Sequence, residues 1–319
     1  AFTIPGRKPV RARYQLVLDY SRKEVVDGIF AQIAKVLDDT KADYVKMDMN
    51  RHLTDIWSKT AAEQNQGAIL HRYVLGVYDF LERLHERYPD LLIEGCSGGG
   101  GRFDAGMLYY TPQIWCSDNT DAVERIKIQY GTSFAYPSCT VGSHVSAVPN
   151  HQTGRTTELA TRAAVAMAGS FGYELDLNLL TEEEKEQVRE QIKNYHRFEM
   201  LIRQGRYYRL TDVWQKKEYA AWEYCRPDGS EALVTVVTLD TQCNPATEYV
   251  KLRGLGEDKK YRVEVVGMQT GGENGQRING TPNSVEPEYY TGAQLVHAGL
   301  PVPRLGNEYK SWQVYVKEV

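Results

Sequence analysis

From residue 14 to residue 205 the chain alternates short apolar runs with longer stretches in which apolar side chains recur at every third or fourth position. YQLVLDY (14–20) predicts a strand. SRKEVVDGIFAQIAKVLDDT (21–40) predicts a helix, with Val25, Ile29, Ile33 and Val36 or Leu37 on one side and Ser21 with Glu24 as a capping box. YVKMDMN (44–50) reads as the next strand, and HRYVLGVYDFLERLHERYP (71–89) as a helix stopped by Pro89. DLLIEGCSGGGG (90–101) then predicts a strand running into a glycine-rich loop. QIWCSD (113–118) is a further strand, followed by a helix from Thr120 to about Tyr130. TVGSHVSAVPN (140–150) reads as strand and loop, Thr157 to Ala168 as helix, and SFGYELDLNLL (170–180) as strand and loop. A helix over 181–205, capped by Thr181 with Glu184, ends near Gly205. Strands alternating with helices predict a parallel sheet.

Beyond residue 212 the pattern changes. EYAAWEYCR, EALVTVVTLD, EYVKLRGL, KYRVEVV and SWQVYVKEV are strand-like and separated by Gly, Pro, Asp and Asn, the pattern of an antiparallel β-sandwich. The expected division is therefore an α/β domain over 1–212 and an antiparallel β domain over 213–319. The chain's 319 residues also exceed the roughly 250–300 that one core usually supports. The first part shows about five βα units, whereas a closed (β/α)8 barrel has eight strands and about 250 residues. Either it is an open doubly wound sheet or it is the C-terminal part of a longer TIM-type barrel, and the start in a loop favours the second.

Composition narrows the ligand. A net charge of −4 with no block of like charges argues against nucleic-acid and membrane-surface partners, and leaves a small or neutral ligand. No apolar run approaches the roughly 18–20 residues of a membrane span, and AFTIPGRKPVRARYQ lacks a signal-peptide core, so a soluble chain is expected. Cys96, Cys116, Cys139, Cys225 and Cys243 are odd in number and lack CxxC spacing, which predicts neither a disulfide framework nor a zinc site and fits a reducing, cytoplasmic setting.

Chemistry concentrates at strand ends, where α/β proteins place it. Strand alternation predicts Lys46, Asp48 and Asn50 on one face; Cys96 and Ser97 end the next strand and Asp118 the one after. Two carboxylates on separate strand ends, with a cation beside one, are the parts that break a glycosidic bond. Lys46 is expected to hold Asp48 ionised, as a nucleophile requires. Ion pairing with Lys46, Arg51 or Arg125, or capping of an element's end by Asp118, accounts for both aspartates equally well on spacing alone. Asp121 and Glu124 read as compensating the helix dipole. CSGGGGRFD (96–104) suits a tight turn or a close approach to a ligand, but no GK[ST] follows, so a nucleotide site is weakly supported. His144, Asn150, His151 and Arg155 surround another strand end without HExxH or G-x-S-x-G, and His144 reads as structural.

RYQLVLDYSR (13–22), DYVKMDMNR (43–51), EGCSGGGGRFD (94–104), IWCSDNTDAVER (114–125) and HVSAVPNHQTGR (144–155) together resemble the family 36 glycoside hydrolases, the microbial α-galactosidases. The likeness covers residues 1 to about 210, and the β-rich remainder is similar to that family's C-terminal domain. It implies a retaining hydrolysis of terminal α-galactosyl groups of the melibiose and raffinose type, with Asp48 as nucleophile and Asp118 as general acid/base. It implies that Arg13, Lys46, Asn50, Cys96, Gly98 and Gly99 hold the sugar, with no metal and no cofactor. It also implies a small galactoside as partner and a homo-oligomer, by family habit a tetramer. An α-N-acetylgalactosaminidase, a galactosyl transglycosylase and an inactive sugar-binding fragment are the alternatives. Met47 stands where the family usually has tryptophan. The family's N-terminal β-sandwich and first barrel strands, with their Asp-Asp-Gly-Trp segment, have no counterpart here, so the resemblance implies the C-terminal part of a longer chain.

Overall fold

A computed structural model describes residues 1–243, 246–266, 288–303 and 308–319. The chain divides into two compact units, Ala1–Asp118 and Asn119–Val319.

The first unit contains α1 (Lys23–Thr40), β1 (Tyr44–Met47), α2 (Ile69–Arg87), β2 (Leu92–Gly95), α3 (Ala105–Tyr110) and β3 (Gln113–Ile114). The three strands are parallel in the order β1-β2-β3, with Lys46 opposite Glu94 and Glu94 opposite Gln113. The apolar stripes of the helices explain the layering. Val26 and Leu37 of α1 and Ile69, Tyr73, Val77, Phe80, Leu81 and Leu84 of α2 close one core with Ile93, Ile114 and, half-buried, Val45 and Met47. Alternation then sends Tyr44, Lys46, Leu92, Glu94 and Gln113 to the opposite face.

Two expectations fail at the start of this unit. Residues 14–20 form no strand: Arg13 and Tyr14 take left-handed backbone (φ 48° and 61°), closing a bridge between Ala12 and Gln15. Among the described residues one backbone bond reaches this stretch from another segment, donated by the Phe2 N–H to the Val17 carbonyl at 2.9 Å, too little for a ladder. Nor does Ser21 cap α1. Its hydroxyl is drawn to the buried Asp19, which also accepts from Ser58, while Glu24 pairs with Arg22.

The second unit comprises α4 (Ala122–Thr132), β4 (Gly142–Ser146), α5 (Leu159–Ala166), β5 (Ser170–Glu174), α6 (Glu182–Gln204), β6 (Arg206–Arg209), β7 (Tyr219–Cys225), β8 (Glu231–Thr238), β9 (Tyr249–Val250), β10 (Lys260–Val265), β11 (Glu288–Thr291), β12 (Leu300–Pro301) and β13 (Ser311–Glu318). Among the described residues β4 and β5 pair in parallel, and six strands form an antiparallel sheet in the order β11-β10-β13-β8-β7-β6. Thr181 and Glu184 form the expected capping box on α6.

The antiparallel sheet is covered on both faces, which is why β7 is buried at every position. Tyr219, Ala221 and Cys225 face a layer built from the β9–β12 pair and a π-helical turn at Gln294–Ala298. Ala220, Trp222 and Tyr224 face Ile126, Val165, Phe198, Leu201 and Ile202, so helices rather than a second sheet cover that side. The sheet also begins earlier than the sequence pattern indicates, with β6 following α6 directly.

Candidate active site

β1 ends at Met47, so Asp48 is the first residue beyond the strand's C-terminal end and Asn50 lies in the following loop, not on one strand face with Lys46. What places Asp48 is hydrogen bonding. One carboxylate oxygen accepts the N–H groups of Met49 (2.8 Å) and Gly98 (3.2 Å), and the other accepts the Asn50 amide (2.6 Å). The Cys96 thiol donates to the same carboxylate. Burial raises the pKa of Asp48, but these four donors together outweigh it and leave the group below the usual carboxylate range. Cys96, nearly fully buried, is pushed by that burial up to about 11, so it remains a thiol and a donor at neutral pH.

The glycine loop after β2 joins the two carboxylates. Gly98, Gly99 and Gly100 all have positive φ (55°, 79° and 99°), conformations that residues with a Cβ rarely adopt. A Cβ on Gly99 would lie 2.6 Å from the Asp118 backbone nitrogen, and one on Gly100 2.6 Å from the Cys116 carbonyl oxygen. The loop therefore presses against the end of β3 on one side while Gly98 donates to Asp48 on the other. Asp118 in turn accepts the Trp115 indole N–H at 3.1 Å, and its second oxygen faces the Arg13 guanidinium at 3.7 Å.

Helix α4 is capped by Asp121, whose carboxylate accepts from Val123 and Glu124 and is clamped by Arg155 at 2.6 Å. Arg51 donates to the Val10 carbonyl and pairs with Asp55, and Arg125 donates to the Gly142 carbonyl. Among the described residues Lys46 forms no ion pair with Asp48, contrary to expectation. Its ammonium sits 3.7 Å from Glu94 and 4.7 Å from the centre of the Trp115 ring, because cross-strand register places Glu94 opposite it. Asp48 owes its ionised form to neutral donors instead.

Of the residues singled out by sequence, Asp48, Asn50, Cys96 and Gly98 meet in one hydrogen-bonded group, and Gly99 and Arg13 meet Asp118. Asn50 Oδ1 is buried without a hydrogen-bond partner among the described residues, an acceptor available to a hydroxyl. His144 pairs with Glu174 at 3.2 Å, consistent with a structural role, and the Asn150 amide donates to the Thr120 hydroxyl. Glu94 and Trp115 were not singled out; the strand alternation that fixed Lys46 also points Glu94 to the same face. Among the described residues no group of three or more His, Cys, Asp or Glu is placed to hold a metal ion. No helix among them is long and apolar enough to cross a membrane. All five cysteines are free.

An ionised carboxylate held by fixed donors, a second carboxylate across one glycine loop, and nearby cations and amides suit attack on an acetal carbon with proton transfer to its leaving oxygen. Comparison with known proteins agrees. Residues 1–205 match melibiase, and residues 219–316 match the glycosyl hydrolase family 36 C-terminal domain. The chain is 54% identical over all 319 residues to a bifunctional alpha-galactosidase/sucrose kinase of Mediterraneibacter gnavus, covering 31% of it. It is 45% identical over 316 residues, 99% of its length, to an alpha-galactosidase of Lactobacillus acidophilus, covering 40% of that protein. A solved alpha-galactosidase of Geobacillus stearothermophilus in complex with raffinose superposes with a TM-score of 0.90 at 42% identity, over 100% of this chain and 41% of that one. The chain thus spans between about a third and two fifths of the length of these relatives.

Proposed function

The chain belongs to the melibiase family of glycosyl hydrolases, and from that premise we propose that it carries the catalytic carboxylates of a retaining α-galactosidase acting on terminal α-galactosyl groups of raffinose-type oligosaccharides. Residues 1–212 are read as the C-terminal strands and helices of a (β/α)8 barrel, and 213–319 as the antiparallel domain that follows it. Free cysteines support a reducing compartment. A homo-oligomer is carried over from the family as part of the same reading.

The observation that carries the mechanism is the glycine loop: Gly98 donates to Asp48 while Gly99 packs against Asp118 with no room for a Cβ. Asp48, kept ionised by Cys96, Asn50 and backbone amides, attacks the anomeric carbon and forms a galactosyl ester. Asp118 gives its proton to the departing oxygen and then, as carboxylate, takes one from the water that hydrolyses the ester. Retention requires the two carboxyl groups to stand roughly 5–5.5 Å apart around the bound sugar. Asn50 Oδ1, Lys46 and Arg13 are read as partners of sugar hydroxyls in the same proposal.

The test is mechanism-based trapping in the complete polypeptide that carries these residues. A 2-deoxy-2-fluoro-galactosyl reagent should label Asp48, located by peptide mass spectrometry, and Asp48→Asn should abolish turnover. Asp118→Ala should lose hydrolysis of poor leaving groups far more than of activated aryl galactosides, and azide should restore part of it as a galactosyl azide. Label on another residue refutes the assignment.

A further inference from the structure

Glu94 is used by nothing in the mechanism, yet it is buried to 1% exposure beneath the site. An isolated buried carboxylate is costly, so its partners reveal what keeps it there. Oε2 accepts the Tyr44 hydroxyl at 2.5 Å and the Gln113 side-chain amide at 2.6 Å. Oε1 accepts no hydrogen bond among the described residues and faces the Lys46 ammonium at 3.7 Å. That separation is too long for a hydrogen bond but close enough for strong Coulomb attraction under partial burial. Lys46, for its part, makes no hydrogen bond to any described residue, and the Trp115 ring flanks its ammonium at 4.7 Å.

The register explains the arrangement. Lys46, Glu94 and Gln113 are consecutive cross-strand neighbours on β1, β2 and β3, and Tyr44 lies two residues before Lys46 on the same face. Two neutral donors fix one carboxylate oxygen, leaving the other as an immobile negative pole under a flexible cation. A lysine side chain has many rotamers, and ordering it on ligand binding costs affinity. A fixed anion and an aromatic wall remove that cost while leaving the ammonium N–H groups unspent.

We infer that Glu94 is a positioning residue that pre-orients Lys46 toward the hydroxyls of the bound galactoside. The inference rests on the galactosidase reading above. It predicts that Glu94 acts on substrate binding and acts through Lys46 alone.

A double-mutant cycle in the complete polypeptide tests this, using E94Q, K46A and the pair, with aryl α-galactoside kinetics and calorimetric galactose affinity as readouts. E94Q should raise KM and weaken galactose binding about tenfold with kcat within about twofold, the signature of a lost ground-state contact. In the K46A background the same change should have less than about a twofold effect. An equal factor in both backgrounds, or a loss of kcat and thermal stability at unchanged KM, overturns the positioning role. Should E94Q not fold, Tyr44→Phe reads the same coupling: it should weaken galactose binding about twofold to threefold in the parent and not in K46A, and equal effects count against the proposal. Absence of any galactose binding by the parent protein would instead refute the galactosidase reading.

Discussion

At the scale of single residues, the group most at odds with its surroundings lies away from the carboxylate pair. Glu223 of β7 is fully buried; one oxygen accepts the Arg253 N–H at 2.8 Å and the other has no hydrogen-bond partner among the described residues. Burial pushes its pKa up to about 8, only partly offset by the Arg253 amide. The sign of the consequence follows from linkage. The unfolded chain releases this proton near the ordinary value of 4.5 and the folded chain only near 8, so stability falls as pH rises across that window and is level above it. Glu223→Gln keeps an acceptor for Arg253 and removes the titration. Thermal melts should show parent and variant nearly equal at pH 4 and the variant more stable at pH 9. A difference independent of pH would show that Glu223 does not titrate in this way.

Residue identity was legible around Asp48 where its geometry was not. Alternation predicted Lys46, Asp48 and Asn50 on one strand face, but β1 stops at Met47 and the side-chain and backbone donors around Asp48, not the pleat, orient it. Hydrogen bonds made across fifty positions, such as Gly98 to Asp48, leave no periodic trace in sequence. Lys46 was read as the neighbour of the nearest acid along the chain, whereas the acid it meets is the one opposite in register.

At the scale of elements, helices with strong apolar stripes were readable within a residue or two at their ends, because burial of one face decides them. The capping box of α6 formed where its motif stood, and that of α1 did not, since a buried aspartate two residues before Ser21 competes for the hydroxyl. Strands were less legible: β3 is two residues long and β6 follows a helix without a break. The glycine loop makes the sharpest prediction at this scale. Gly99→Ala meets a left-handed backbone (φ 79°) and a contact 2.6 Å from the Asp118 nitrogen, so Asp118 or the loop must move. The backbone strain is about 1–2 kcal/mol, but a shift near 1 Å at a catalytic group costs about a hundredfold in kcat. Gly28 of α1 has open space around its Cβ position, and Gly28→Ala should leave activity unchanged and stabilise the helix by about 0.5–1 kcal/mol. Equal activity in both variants would show that the loop does not set Asp118.

At the scale of the whole chain, the first unit has a parallel sheet with helices packed into one core and an opposite face that is open to solvent at the start of its strands. Tyr44 and Leu92, register partners on that face, are 50% and 64% exposed, and β1 and β3 are the sheet's edges. Parallel sheets are ordinarily covered on both faces, and free edges of this kind template association. Within the proposed barrel that face is the lumen, and the polar layer of Lys46, Glu94 and Gln113 is suited to such a site while Tyr44 and Leu92 are not suited to bulk water. These 319 residues expressed alone should therefore bind a dye sensitive to apolar surface, associate at micromolar concentration and hydrolyse an aryl α-galactoside negligibly. Light scattering, dye fluorescence and turnover measured on one preparation decide it. A monomeric, dye-silent product with full turnover would mean that this face needs no cover, and the barrel reading would fall with it. The carboxylate assignments would survive that result, because they rest on hydrogen bonds and close packing that lie wholly within the first unit.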